Sequence, residues 1–174
     1  MTIAEFIVSY TKRDAPAEGV YDMKLVYTDG TNADFIALCA LLDGYLNEIA
    51  GGEVNRKQYI PHNVAEDIQD VFLAYDGADP IGCAAFKPYG EGAAEVKRVF
   101  VKEAYRGRGI SKRLMNLLEK KALKKGYLRL ILETGEPLVS AMGLYRSAGF
   151  RVIQNYGPYK DMPESVCMEK RLER

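Results

Sequence analysis

Residues 20–28 place Tyr21, Met23, Leu25 and Tyr27 at alternate positions, which predicts a strand with one buried face. Ahead of it, Ile3, Phe6, Ile7, Val8 and Tyr10 fit a strand or a short helix, which Pro16 and Gly19 bring to an end. After the Asp29-Gly30 turn the period changes. Phe35, Leu38, Leu42, Tyr45, Leu46 and Ile49 recur at helical spacing, with Thr31 and Asp34 placed as a capping box. Gly44 is expected to end or kink this helix, and Gly51-Gly52 to close the segment. A second short helix is expected from Asn63, with Glu66 in its first turn. Apolar runs over 71–75, 81–86 and 94–101, separated by turns at 76–80 and 90–92, predict a three-stranded antiparallel meander. Strands and helices alternate from there. A long helix opens after Gly109, carries Ile110, Leu114, Leu117, Leu118 and Ala122 on one side, and ends at Gly126. A buried strand at 128–132, a helix over 138–148, and strands at 150–154 and 165–172 complete the chain. A meander followed by alternation gives an α+β or mixed α/β class.

Composition narrows the function classes. A chain of 174 residues is expected to form one domain, residues 1–174. Lys plus Arg number 24 and Asp plus Glu 24, and a formal net charge of zero argues against a general nucleic-acid or anionic-membrane partner. The basic run Lys120, Lys121, Lys124 and Lys125 reads as a solvated face suited to a helix C-terminus. Cys39, Cys83 and Cys167 are widely spaced and odd in number, so neither a disulfide framework nor a metal pair is expected. Cys83 and Cys167 have no basic neighbour in sequence and are poor nucleophiles. One histidine, His62, makes a histidine-based metal site unexpected, and its loop position reads as solvated. No apolar run approaches a membrane span, and no basic leader precedes Glu5, so a reducing cytoplasm is the expected location.

Candidate chemistry starts at the mouth of the long helix. Val99-Phe100-Val101 is followed, after a short connection, by Arg106-Gly107-Arg108-Gly109-Ile110-Ser111-Lys112. A helix N-terminus offers unpaired N–H groups and partial positive charge, and glycines let a ligand approach the backbone. Together they suit a pyrophosphate. The pattern is neither GxxxxGK[ST] nor the Rossmann GxGxxG. Taken alone, the tetrapeptide fits equally a basic surface turn with a capping glycine.

The stretch from Glu95 to Phe150 resembles the GCN5-related N-acetyltransferase (GNAT) superfamily. Arg106, Gly109 and Ser111 fall on that family's [Q/R]-x-x-G-x-[G/A] signature, and Leu144-Tyr145-Arg146-Ser147-Ala148-Gly149-Phe150 matches its LYxxxGF segment. Ser111 departs from Gly or Ala but is still small. The likeness extends over nearly the whole chain from Met23, and residues 1–19 lie outside the family core. Residues 155–159 and 165–170, Asn-Tyr-Gly-Pro-Tyr and Ser-Val-Cys-Met-Glu-Lys, further resemble one bacterial branch, as does Glu133-Thr134-Gly135.

The resemblance implies a mixed, mostly antiparallel sheet of about seven strands with helices on both faces. It implies acetyl-CoA as cosubstrate, its pyrophosphate on the amides of residues 107–111 and its pantetheine arm along Val99 and Val101. It implies the Val99 amide as oxyanion donor, Glu95 as general base and Tyr145 as general acid. Each has a plainer reading: Glu95 as an ion pair with Lys97 or Arg98, Tyr145 as a helix-face tyrosine packed on the sheet. Simple alternation sets Glu95 beside Lys97 and Val99, unless a bulge re-aims it. Leu138 stands where many family members have an Asn that helps hold the pantetheine arm, and Ser140 is the nearest replacement. Tyr45, Tyr59, Tyr156 and Tyr159 are placed to wall an acceptor pocket, and Glu133 to balance an amine cation.

The resulting expectation is direct transfer of an acetyl group to a primary amine, small molecule or peptide, with no metal, no nucleic acid and no membrane. A homodimer stays open. Two rivals stand beside it: another acyl donor or a hydroxyl acceptor on the same fold, and a CoA-binding module without turnover.

Overall fold

The computed structural model describes residues 8–9, 23–65, 67–90, 92–135 and 137–173. Among these residues one sheet has eight strands: β1 (Val8–Ser9), β2 (Met23–Thr28), β3 (Asp70–Asp76), β4 (Asp79–Tyr89), β5 (Ala93–Val101), β6 (Arg129–Gly135), β7 (Arg151–Ile153) and β8 (Ser165–Arg171). Their order is β1-β2-β3-β4-β5-β6-β8-β7. Every pairing is antiparallel except β5 with β6. The expected meander is β3-β4-β5, and the expected mixed sheet of about seven strands is present, with the two-residue β1 added beside β2. The segment 15–19 lies outside the described residues.

Among the described residues three α-helices cover the sheet: α1 (Ala33–Ile49), α2 (Ile110–Lys124) and α3 (Val139–Ser147). Alternation along the strands decides which helix each residue meets. Val71 and Leu73 of β3, with Cys83 and Ala85 of β4, pack with Phe35, Leu38 and Cys39 of α1. Phe72 and Ala74, with Ala84 and Phe86, pack with Ile110, Leu114, Met115 and Leu118 of α2. Tyr145 of α3 joins the second cluster. Helices on both faces therefore follow from a strand pattern that is apolar on both sides.

Three local expectations are corrected. Asn32, not Thr31, caps α1: its Oδ1 accepts from the amides of Asp34 (2.9 Å) and Phe35 (3.2 Å), while Thr31 turns back to Asp29. Gly44 neither ends nor kinks α1, which continues to Ile49, since an isolated glycine costs a helix only about 1 kcal/mol. No helix starts at Asn63. A single 3₁₀ turn, Ile60–His62, stops there, and Ala65 and Ile68 are buried against α1 instead. Glu66 lies outside the described residues.

Candidate active site

The parallel pairing of β5 with β6 runs through Ala93↔Arg129, Ala94↔Leu130 and Glu95↔Ile131 and then stops. Beyond that point β6 stays with β8 as far as Gly135↔Ser165, while β5 stays with β4. The sheet splits there into two halves. Arg98 supplies a physical cause. It has φ 55°, and the β4–β5 register steps from Cys83↔Phe100 to Ala85↔Lys97, which leaves one extra residue in β5. Such a bulge bends its strand and leaves the extra residue unpaired. It also reverses the alternation: Val99 packs with the α2 cluster, whereas Phe100 belongs to the α1 cluster. The expected placement of Glu95, Lys97 and Val99 on one face is thus corrected.

A cavity of about 1290 Å³ fills the opening. One end holds Val99, Phe100, Val101, Arg106, Gly107 and Ser111 on one side and Ser140 and Tyr145 of α3 on the other. Gly109 caps α2 with φ 74°, and among the described residues no side-chain hydrogen bond caps the helix. A Cβ built at Gly107 or Gly109 would meet nothing within 4 Å, so the approach to these amides is open. This cradle fits a diphosphate. Arg106 is held in place: its Nε donates to the Val101 carbonyl at 3.1 Å and its guanidinium lies 4.6 Å from the Tyr45 ring centre. Tyr45 therefore stands with Arg106 at the α2 end of the cavity. Gly109, Arg108, Ile110 and Lys112 do not line the cavity; Ile110 is buried under α2, and Arg108 packs over Tyr105.

At the other end stand Arg56, Tyr59, Lys97, Arg98 and Glu133, with the 158–164 loop at the rim. That loop is shaped by its own sequence. Asn155 Nδ2 donates to the carbonyls of Met162 and Ser165, and its Oδ1 accepts from the Cys167 amide. Gly157 has φ 51°, and a Cβ there would come within 2.5 Å of the Tyr89 hydroxyl.

The two candidate carboxylates have different surroundings. Glu95 is 3% exposed and does not line the cavity. Its Oε1 lies 3.0 Å from Lys97 Nζ and accepts from the hydroxyls of Tyr156 (3.1 Å) and Tyr159 (3.3 Å). Lys97 Nζ donates to Tyr159 at 2.6 Å. The ion-pair reading of Glu95 is met by Lys97, and Arg98 pairs instead with Asp43 at 2.8 Å. Tyr156 and Tyr159 therefore serve Glu95 behind the wall. His62 packs edge-on against Tyr159 at 5.8 Å. Glu133 does line the cavity. Its Oε1 accepts from Ser165 Oγ at 2.8 Å, and Ser165 Oγ lies 3.1 Å from the Tyr59 hydroxyl. Burial raises the proton affinity of Glu133 above the ordinary carboxylate range, against the opposing pull of the Ser165 hydrogen bond and Lys97. Burial also pushes the Tyr145 phenol up, so it stays protonated. The Cys39 hydrogen bond and then burial raise the Cys83 thiol, and burial raises Cys167, which leaves both protonated and unreactive.

A family model for the acetyltransferase (GNAT) family matches residues 45–150. The chain is a GNAT acetyltransferase. It is similar to an IAA acetyltransferase of Azospirillum brasilense, 35% identical over 138 residues, which span 79% of this chain and 90% of that one. A provisionally named acyl-CoA N-acyltransferase from Klebsiella pneumoniae superposes with a TM-score of 0.72 at 28% identity, covering 87% of this chain and 98% of the other. A PaiA N-acetyltransferase from Thermoplasma acidophilum, solved in complex with coenzyme A, gives a TM-score of 0.51 at 27% identity over 58% of this chain and 59% of that one. Among the described residues no helix is long and apolar enough to cross a membrane, and no cluster of His, Cys, Asp or Glu could hold a metal ion.

Among the cavity residues of this acetyltransferase, sequence reasoning passed over Arg56 and weighed Arg98 only as a charge partner of Glu95. Arg56 lies in a polar 3₁₀ segment with no periodicity to mark it. Arg98 is brought to the wall by a bulge that no glycine or proline announces. Lys97 was weighed only as a charge partner.

Proposed function

We propose that this chain moves an acetyl group from acetyl-CoA to a primary amine by direct attack in a ternary complex. One observation carries the reading: a single cavity runs from the open α2 cradle to a buried carboxylate of raised proton affinity. Residues 107–111 would hold the diphosphate, and the β5 edge freed by the departure of β6 would hold the pantetheine arm. The Val99 amide would face the developing oxyanion. Glu133, rather than Glu95, is the proton acceptor in this reading, because it faces the cavity and its affinity is shifted toward the working pH. Tyr145 donates a hydrogen bond to the departing sulfur. A buried phenol holds its proton more tightly than a thiol does, so it steadies the leaving group without giving the proton up.

The test is release of the free CoA thiol against a panel of primary amines, with Tyr145→Phe alongside wild type. The variant keeps the ring and is expected to lose about a hundredfold in kcat with acetyl-CoA affinity near wild type. Acetyl-CoA binding without thiol release on any amine would support a binding module instead.

A further inference from the structure

The charges at the acceptor end do not cancel locally. Lys97 is matched by Glu95 at 3.0 Å. Arg56 and Arg98, both nearly buried, share one carboxylate, the half-exposed Asp43, at 3.6 and 2.8 Å. That sharing leaves one positive charge in excess on the wall. Arg98 Nε is also one of two buried side-chain polar atoms among the described residues with no hydrogen-bond partner. Glu133 is the converse: a mostly buried carboxylate that makes no ion pair among the described residues and receives one hydroxyl hydrogen bond. The charges of Lys97 and, more weakly, Arg56 both act on it, so Glu133 and the arginine wall lie within electrostatic reach of each other. Arg56, Arg98 and Glu133 all line the same cavity.

A buried charge without a partner is costly, and sites that keep one usually recognise the opposite charge on a ligand. Here both signs are kept. A polyamine would face the arginine pair, and an acceptor bearing only an anionic group would face Glu133; each meets a repulsive wall. The geometry points to a zwitterionic acceptor: an amino acid whose amine lies at Glu133 and whose carboxylate lies at the Arg56–Arg98 pair. This rests on the acetyl-transfer reading above and narrows its acceptor. The neutral amine nitrogen attacks the thioester carbonyl, its proton passes to Glu133, the C–S bond breaks, and CoA leaves as a thiolate that Tyr145 hydrogen-bonds and that takes its proton from water on release. Arg56 is the specificity residue, since its guanidinium is anchored by Asn47 Oδ1 at 2.7 Å and by the Asp43 carbonyl at 3.2 Å and so is already oriented.

The experiment compares α- and ω-amino acids with their primary amides and with the amines left after decarboxylation, reading free CoA thiol. Calorimetry with acetyl-CoA alone runs beside it. The amino acids are expected to exceed both neutral-tail sets by about tenfold or more in kcat/KM, the range of a charge-assisted hydrogen bond. In Arg56→Gln that ratio should fall toward one with acetyl-CoA affinity unchanged, and Arg56→Lys should keep part of it. If Arg56→Gln does not fold, the wild-type ratio still decides. Amides and amines turned over as well as the acids would overturn the zwitterion while leaving acetyl transfer intact. Acetyl-CoA binding with no amino acid turned over would overturn it as well. Failure to bind acetyl-CoA would remove the underlying reading and this one with it.

Discussion

Two glutamates on adjacent strands illustrate how little a residue's identity says about its task. Glu95 is held by two lysines, Lys97 and Lys87, and two phenols, whereas Glu133 has one hydroxyl partner and an open side. Their glutamine variants are expected to separate cleanly. Glu95→Gln strips the partner from a buried Lys97, and breaking a buried pair from one side costs about 3–5 kcal/mol. Glu133→Gln removes an unpaired buried charge, so its urea midpoint should hold or rise while turnover falls. The turnover deficit of Glu133→Gln should shrink as pH climbs through the amine's own titration, since the free amine needs less help. Loss of turnover without loss of stability in Glu95→Gln would reverse the two assignments. The sequence made both glutamates visible as candidates but not their ranking, because the ranking depends on Tyr156, Tyr159 and Ser165 arriving from a loop and a strand some thirty or more residues away.

Elements were more legible than their joints. The alternation in β3 and β4 and the helical period in α1 and α2 are each decided by burial of a whole face, so one misplaced residue does not obscure them. Joints rest on single contacts. Asn32 outcompetes Thr31 as a cap through one pair of hydrogen bonds, and the bulge at Arg98 is a tertiary compromise between β4 pairing and the departing β6. That bulge opens the cavity, so the site was readable as a list of residues and not as a shape. The α2 cradle offers an element-scale test. Gly109→Val forces a β-branched residue to φ 74° and, on the proposed reading, puts its methyls where the diphosphate would approach the amides. Gly126 shares the strain, at φ 87°, and the open surroundings, but follows the far end of α2. Gly126→Val is therefore the matched control for backbone cost. Calorimetry is expected to show acetyl-CoA binding weakened about tenfold or more in Gly109→Val and retained in Gly126→Val. Equal loss in both would trace the effect to helix strain and not to the cradle.

At the scale of the whole molecule, the 12 tyrosines make alkaline pH the revealing axis. Burial, reinforced by the negative charge of Glu95, raises the phenols of Tyr156 and Tyr159, and burial followed by Glu133 raises Tyr145. In the unfolded chain each would ionise near pH 10. The unfolded state therefore releases protons that the folded state keeps, and stability falls as pH rises past that point. The slope is at most about 1.4 kcal/mol per pH unit for each phenol that stays protonated. Lys97 acts in the opposite sense. Burial lowers its affinity, so the folded chain sheds that proton first, and the penalty for burying the cation is relieved as pH climbs toward the ordinary lysine value near 10.4. The two effects occupy neighbouring windows. Stability should hold or rise slightly as pH 10 is approached and then decline steeply, with more than one phenol contributing. Urea midpoints taken between about pH 9 and 11.5, read with tyrosinate absorbance, check this. Part of the tyrosinate signal should appear only as the chain unfolds. Tyr156→Phe removes one of the held protons and should make the decline shallower without shifting its onset. Full tyrosinate absorbance in chain that is still folded would mean that the phenols around Glu95 are reachable by hydroxide, and that the wall behind the cavity is open.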